Sequence, residues 1–133
     1  MNYLLDTNVI GYFMRNACPQ LTQRIFSHHP DELFLSAITI YELEYGAEKR
    51  GWGDQMRQKL AMAIAPFNIL PFTTEDAVMA GKIRAFLERK GTPIGAYDVQ
   101  IAAQGAVRGM TVVTHNLGEF SRVPSLLLED WVV

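Results

Sequence analysis

The sequence predicts an α/β fold: a single domain over residues 1–133 with a central, mainly parallel sheet of four to five strands flanked by helices. Short apolar, β-branched runs alternate with longer segments whose apolar residues recur at helical spacing. Parallel strands need a crossover connection, usually a helix, so this alternation favours a parallel sheet covered on both faces. A length of 133 residues suits one core, and no linker, repeat or low-complexity tract divides the chain.

The first half of the chain contains two predicted strand-then-helix units. Each strand is a short apolar run, and the helical segments carry apolar residues on one face. In order, we predict a strand over 2–5, a helix over 9–14 that stops near Cys18 and Pro19, a helix over 21–27, a polar loop over 28–32, a strand over 33–36 and a helix over 38–49 that stops at Gly51.

The second half continues the alternation. A helix with apolar residues four apart at Met56, Leu60 and Ile64 ends before Pro66. Then follow a strand over 67–72, which its proline places at a sheet edge or strand end, a helix over 77–90 opened by residues 74–76, a helix over 96–109, a strand over 110–114, a helical turn near Phe120 and a strand over 126–128.

Composition limits the possible classes of protein. With 49% hydrophobic and 20% charged residues, the chain is typical of a globular protein and not of a disordered one. No apolar run approaches the ~20 residues of a membrane span, and the N-terminal segment does not fit a signal peptide. Cys18 is the only cysteine, which excludes an internal disulfide and favours a reducing compartment. We therefore expect a cytoplasmic protein without a membrane segment.

The net charge of −2 argues only weakly against a nucleic-acid partner, because it is a sum over the whole chain.

Acidic and amide side chains follow the predicted strands. Asp6 ends the first strand, Glu42 lies early in the helix after the second, and Asp98 opens the helix that leads into the fourth. Asn116 and Glu119 follow that fourth strand. Ligands of open α/β sheets bind outside the carboxyl ends of the strands, so we expect these groups to converge. Oxygen ligands with no Cys or His cluster suit a hard cation such as Mg²⁺ or Mn²⁺.

Each acid also has a purely structural interpretation. Asp6 could cap the following helix, Glu42 could form a capping box with Thr39, and Asp98 could interact with a helix dipole. Each such role is more common than a functional one when the residue is considered alone. Independent caps have no reason to share one edge of one sheet, so the set together favours a site.

Four ordered segments carry a resemblance to a known family: LLDTN, SAITIYELEYGAEK, RKGTPIGAYDVQIAA and VVTHNLGEF followed by EDW. Together they resemble PIN-domain ribonucleases, specifically the VapC toxins of bacterial type II toxin–antitoxin pairs, over nearly the whole chain. The resemblance implies a PIN-like fold and an Mg²⁺-dependent endoribonuclease, with Mn²⁺ as a substitute. Asp6, Glu42 and Asp98 match the family's metal-binding acids. Asn116 stands where many members have Asp, and Glu119 three residues later could supply that carboxylate.

These observations give a hypothesis for the site. Asp6 and Asp98 hold one metal, and Glu42 with either Asn116 or Glu119 completes the site or holds a second; the catalytic acids are then Asp6, Glu42, Asp98 and Glu119. Thr7, Asn8, Ser36 and Thr114 orient the carboxylates. Tyr97, beside Asp98, either stacks on an unpaired RNA base or belongs to the core.

The resemblance also implies partners. These are a VapB-type antitoxin that wraps a groove, an RNA substrate, with transfer RNA and initiator tRNA favoured, and a homodimer within a larger toxin–antitoxin hetero-oligomer. The groove could use apolar residues beside the site, although core packing competes for them: Val9, Tyr12, Phe13, Ile40, Tyr41 and Leu43. Two basic sets lie on predicted helices, where such residues usually form solvated faces: Lys82, Arg84, Arg89 and Lys90, and Lys49, Arg50, Arg57 and Lys59. The first set leads into the segment before Asp98, so it is also a candidate track of phosphate contacts.

Two rival classes remain. In the first, the acid cluster is degenerate and the fold is a non-catalytic RNA- or protein-binding module, which Asn116 alone favours. In the second, Asp6 serves phosphotransfer, as in receiver domains and haloacid-dehalogenase-like phosphatases. The phosphatase pattern needs a second Asp where this chain has Asn8, and a receiver needs a Lys after a late strand, which is missing.

Overall fold

The computed structural model describes residues 1–133 and confirms the α/β prediction. Strands and helices alternate as expected, because each crossover buries an apolar helix face against the sheet. In chain order the elements are β1 (Tyr3–Leu5), α1 (Thr7–Met14), α2 (Pro19–Ser27), β2 (Leu33–Ser36), α3 (Ala37–Arg50), α4 (Asp54–Ile64), β3 (Asn68–Leu70), α5 (Thr74–Arg89), α6 (Ala96–Arg108), β4 (Thr111–Val113), α7 (Leu117–Phe120) and β5 (Leu127–Glu129).

All five strands are parallel and lie in the order β3-β2-β1-β4-β5. β1 is the central strand, with Leu4 opposite Phe34 of β2 and Val112 of β4. The chain first builds the sheet to one side of β1 and then returns to build the other. The order therefore reverses between β1 and β4, and the loops leaving these two strands diverge there, which is where open α/β sheets bind ligands.

The core lies on both faces of the sheet, because successive strand residues point to opposite sides. Leu5 packs on one face with residues of α1 and α2, and Leu4 packs on the other with residues of α5 and α6. Both leucines are fully buried. The central strand is therefore apolar throughout until it ends at Asp6.

Several predicted boundaries differ from the structure by a few residues. α2 begins at Pro19, whose fixed φ suits a first helical position. The expected polar loop contains a 3₁₀ turn, Pro30–Glu32, and the His28 ring stacks on Trp131 with centroids 4.9 Å apart. β3 is shorter than expected, and its place at the sheet edge agrees with its proline. β5 starts one residue late, at Leu127.

A buried ion pair fastens α5 to α6. Asp76 is fully buried, and its two oxygens accept hydrogen bonds from Arg108 at 2.6 and 3.1 Å. Burial raises the pKa of Asp76, but the hydrogen bonds from Arg108 and Thr73 outweigh it, so the pKa is lowered overall. Arg108 ends the helix whose first turn carries Asp98. The pair thus fixes the helix that supplies one of the predicted site residues.

No helix of the structure has both the length and the apolar character needed to cross a membrane.

Candidate active site

Asp6 is buried at the carboxyl end of the central strand, with 3% of its surface exposed. One carboxylate oxygen accepts a hydrogen bond from the Val9 N–H at 2.9 Å, so Asp6 does cap α1. The other accepts from the Thr114 hydroxyl at 2.6 Å. The Thr114 oxygen in turn accepts from the Asn116 N–H at 2.9 Å. The cap and the site are therefore not alternatives, because the same carboxylate is fixed by β1, α1 and the loop after β4.

Glu42 reaches the site from α3. That helix is capped by Ser36 and begins at Ala37, so the capping box between Thr39 and Glu42 is wrong. Glu42 instead accepts a hydrogen bond from the Thr7 hydroxyl at 2.7 Å. The Thr7 and Thr39 oxygens are 3.0 Å apart. Because Thr7 gives its only hydroxyl hydrogen to Glu42, Thr39 donates to Thr7. This chain of hydroxyls ties Glu42 to the start of α1, one residue after Asp6.

Asp98 and Glu119 complete the cluster of acids. Asp98 lies in the first turn of α6, and Glu119 lies in the four-residue α7. The pKa of Asp98 is raised to about 7, first by burial and then by the charges of Asp6, Glu119 and Glu42 and a hydrogen bond with Glu119. Burial also raises the pKa of Asp6, against the effect of its hydrogen bonds. The structure thus brings the four predicted acids together, and Glu119 stands beside Asp98.

The predicted orienting residues are partly wrong. Thr114 holds Asp6 and Thr7 holds Glu42, but the hydroxyl of Ser36 accepts from the N–H of Ile38 and makes no hydrogen bond to a carboxylate. Asn8 is exposed and its side chain makes no hydrogen bond. The Asn116 side chain likewise makes none, and only its backbone N–H is bonded. Asn116 therefore contributes through the loop and not through its amide.

Tyr97 lies at the surface beside the site and not in the core. Its hydroxyl donates to the Tyr41 hydroxyl at 3.2 Å, and the two rings meet edge to face with centroids 5.5 Å apart. Both rings are more than 40% exposed. An aromatic pair at the rim of an acid cluster offers a surface on which an unpaired base can stack.

Sequence analysis missed Asp130. This acid follows β5 directly, its side chain is 9% exposed, and its charge acts on Asp6. It also accepts a hydrogen bond from the His115 ring at 2.9 Å if Nδ1 carries the hydrogen. The signal was available, since the rule that located Asp6 at the end of β1 applies equally to the acid after the last strand.

The donors of this cluster suit a hard divalent cation. They are carboxylate oxygens in a partly buried setting, where burial raises the pKa of Asp6 and Asp98 and neighbouring carboxylates add to the shift. In this arrangement no three His, Cys, Asp or Glu side chains are close enough together to hold a metal ion. Protein hydrogen bonds hold the carboxylates of Asp6 and Glu42 instead.

The pKa of Asp98 predicts how stability depends on pH without a cation. Its folded value of about 7 lies above the ordinary 3.8, so between these values the folded state binds the extra proton. Stability is then full below the ordinary pKa and falls as the pH rises through the folded pKa. In EDTA we expect the melting temperature to fall between pH of about 4 and about 7, and Asp98→Asn to flatten that fall. Calorimetry of the wild type and of Asp98→Asn over this pH range measures the melting temperatures. Parallel pH profiles of the two proteins would contradict the prediction.

Comparison with known proteins agrees with this geometry. The PIN-domain family model matches residues 3–126. The tRNA(fMet)-specific endonuclease VapC of Salmonella typhimurium is 38% identical over 131 residues, covering 98% of each chain. The tRNA(fMet)-specific endonuclease VapC of Shigella flexneri is 33% identical with the same coverage. These relatives match the chain almost from end to end.

Solved structures show the same fold. VapBC2 from Rickettsia felis, bound to a DNA fragment from the promoter, is similar with a TM-score of 0.91 and 30% identity, covering 98% of this chain and 99% of that one. DNA-bound VapBC from Salmonella typhimurium is similar with a TM-score of 0.86 and 39% identity, covering 98% of both chains. The chain therefore belongs to the PIN-domain family, and within that family to the VapC ribonucleases.

Proposed function

We propose that this chain is the toxin of a VapBC pair: an Mg²⁺-dependent endoribonuclease that cleaves transfer RNA and so inhibits translation and growth until an antitoxin neutralises it. The observation that supports the proposal is the convergence of Asp6, Glu42, Asp98 and Glu119 at the edge where the strand order reverses, with the pKa of Asp98 raised to about 7. A bound cation offsets the repulsion within such a cluster of acids.

The proposed roles divide between holding the ion and orienting its ligands. Asp6 and Asp98 would hold Mg²⁺, or Mn²⁺ in its place, with Glu42 and Glu119 completing the site. A divalent ion supplies an activated water and neutralises charge on the phosphoryl group. The Val9 N–H and the Thr114 hydroxyl orient Asp6, and the Thr7 hydroxyl orients Glu42.

The proposed substrate and partner follow the relatives. Two of them carry the name tRNA(fMet)-specific endonuclease, which supports initiator tRNA as the substrate. Two similar structures are VapBC complexes, which supports a VapB-type antitoxin as the partner. We extend this to a toxin homodimer within a larger hetero-oligomer, and to action in the cytoplasm, where transfer RNA and the ribosome are found.

Incubating the purified chain with initiator tRNA tests the proposal. We expect discrete cleavage in Mg²⁺ or Mn²⁺, none in EDTA, and recovery when Mg²⁺ is restored. A matched elongator tRNA controls for general degradation. Cleavage that persists in EDTA contradicts the metal requirement, and no cleavage under any condition, with RNA still bound, supports the non-catalytic module instead.

A further inference from the structure

A groove leads away from the carboxylates between α1, α3 and the start of α4. It has a volume of about 570 Å³. Thr7, Asn8 and Glu42 line its inner end, so it is continuous with the acid cluster. Three basic residues line the groove: Arg15, Arg50 and Lys59. The chain as a whole has a net charge of −2, so these three side chains form a local patch of positive charge beside the cluster of acids.

Two helix glycines make room for the two arginines. Gly11 precedes Arg15 by four residues on α1, and Gly46 precedes Arg50 by four residues on α3. A Cβ on Gly11 would lie 3.3 Å from Nη1 of Arg15, and a Cβ on Gly46 would lie 2.7 Å from Nη1 of Arg50. Each guanidinium therefore lies across the bare backbone of its own helix. Glycine is unfavourable inside a helix. At these two positions it leaves room for an arginine side chain to lie against the helix backbone.

Neither arginine is neutralised by an acid. Arg15, Arg50 and Lys59 form no ion pair, whereas Arg57, also on α4, is bound by Glu44 and Glu48 at 2.8 and 2.6 Å. The arginines contact aromatic rings instead. Arg15 lies 5.3 Å from the ring centroid of Tyr12, and Arg50 lies 5.9 Å from that of Trp52. Stacking holds a guanidinium in place while leaving its N–H donors free for an anion.

We propose that this groove binds the phosphates of the RNA strand flanking the cleaved bond, with Arg15 and Arg50 as its phosphate-binding residues and Gly11 and Gly46 as the positions that seat them. The inference rests on the proposed function, because it identifies which face of the site the RNA crosses. A strand drawn over a cluster of acids meets repulsion, and two unpaired guanidiniums next to that cluster offset it. Lys59 adds positive charge to the groove, but no hydrogen bond, ion pair or aromatic contact fixes its ammonium group.

Two kinds of variant test the subsite. Arg15→Gln and Arg50→Gln each remove a guanidinium, and we expect each to weaken binding of a labelled single-stranded RNA about tenfold and to reduce the slope of log affinity against log salt by about 0.7. Arg89→Gln, on an exposed turn of α5, is the matched control and tests the rival phosphate track along that helix. Binding is measured in EDTA, where no RNA is cut. In Mg²⁺ the same two variants should raise KM with kcat unchanged.

Gly46→Ala gives a sharper test, because stability and binding move in opposite directions. The added Cβ displaces the Arg50 guanidinium, which weakens RNA binding, while alanine favours the helix and raises the melting temperature by about 4 °C. Gly81→Ala in α5 has nothing within 4 Å of the added Cβ and is the matched control. It should give the same gain in stability with unchanged RNA binding.

The outcomes of these experiments distinguish an RNA-binding groove from an antitoxin-binding groove. Unchanged RNA affinity and salt slope in both arginine variants overturns the subsite, and so does an Arg89→Gln effect of equal size. If the arginine variants instead weaken only the complex with a VapB-type antitoxin, the groove binds an acidic segment of that protein and the inference is wrong. A chain that binds RNA through Arg15 and Arg50 but cuts none supports the subsite and contradicts the proposed nuclease.

Discussion

Asp6→Asn is expected to reduce RNA cleavage by about a thousandfold or more while leaving the fold intact. The amide oxygen of Asn still accepts the Val9 N–H, so α1 keeps its cap. The substitution removes a negative charge at the centre of the acid cluster, and it places an amide donor against the Thr114 hydroxyl, which donates to Asp6. Cleavage rates of the purified proteins at saturating Mg²⁺ measure the effect.

Asp31→Asn is the matched control for this experiment. Asp31 lies in the 3₁₀ turn at the amino end of β2, on the sheet edge opposite the site, and its side chain is 87% exposed. The same chemical change there should leave cleavage at the wild-type rate. An Asp6→Asn protein that melts like the wild type and still cleaves at the wild-type rate would remove Asp6 from the reaction.

Arg108→Ala is expected to destabilise the protein by about 3 kcal/mol, because it leaves the buried Asp76 carboxylate without its ion-pair partner. The exposed pair of Arg84 and Glu88 offers a control, since Arg84→Ala should cost less than about 0.5 kcal/mol. Urea denaturation at neutral pH measures both. If both variants lost the same free energy of unfolding, the buried pair would stabilise the protein no more than the exposed pair does.

The same pair predicts a dependence on acid. Because the folded pKa of Asp76 is lowered, its stabilisation is present above the ordinary 3.8 and is lost as the pH falls through the folded pKa. The difference in stability between wild type and Arg108→Ala should therefore shrink as the pH falls below about 4. A difference that stays constant into that range would contradict the ionised state of Asp76.

The sheet and the position of Asp6 could be predicted because both follow from local patterns: short apolar strands, helical crossovers and an acid at a strand end. Of the residues predicted to orient the carboxylates, only Thr114 holds Asp6. Thr7 and Asn8 are its neighbours in sequence, but α1 begins there and its turn carries their side chains away from the carboxylate. Thr114 is more than a hundred residues distant and lies alongside, because Leu5 pairs with Val113. Strand register makes Thr114 the partner of Asp6 in particular, whereas the sequence predicts it only as one of several residues that orient the carboxylates.

The fourth position of the site shows the same limit. Asn116 and Glu119 both follow β4, and the sequence favours Glu119 only slightly as the fourth group. The short helix α7 determines that Glu119 lies beside Asp98 while the Asn116 amide stays unbonded. Glu42 could be placed near the site from its helix, but its hydrogen bond to Thr7 depends on how α3 packs against α1. Local rules located the acids, and packing between elements fixed their orientation.

The most direct test compares cells that express the wild-type chain with cells that express Asp6→Asn. Expression is inducible, and the 5′ ends of the cellular RNA are mapped after induction. We expect growth arrest and discrete new 5′ ends within transfer RNA for the wild type, and normal growth without those ends for Asp6→Asn at equal protein level. Growth arrest that persists in Asp6→Asn, or arrest by the wild type with no new RNA ends, would contradict a toxin that acts through this cluster of acids.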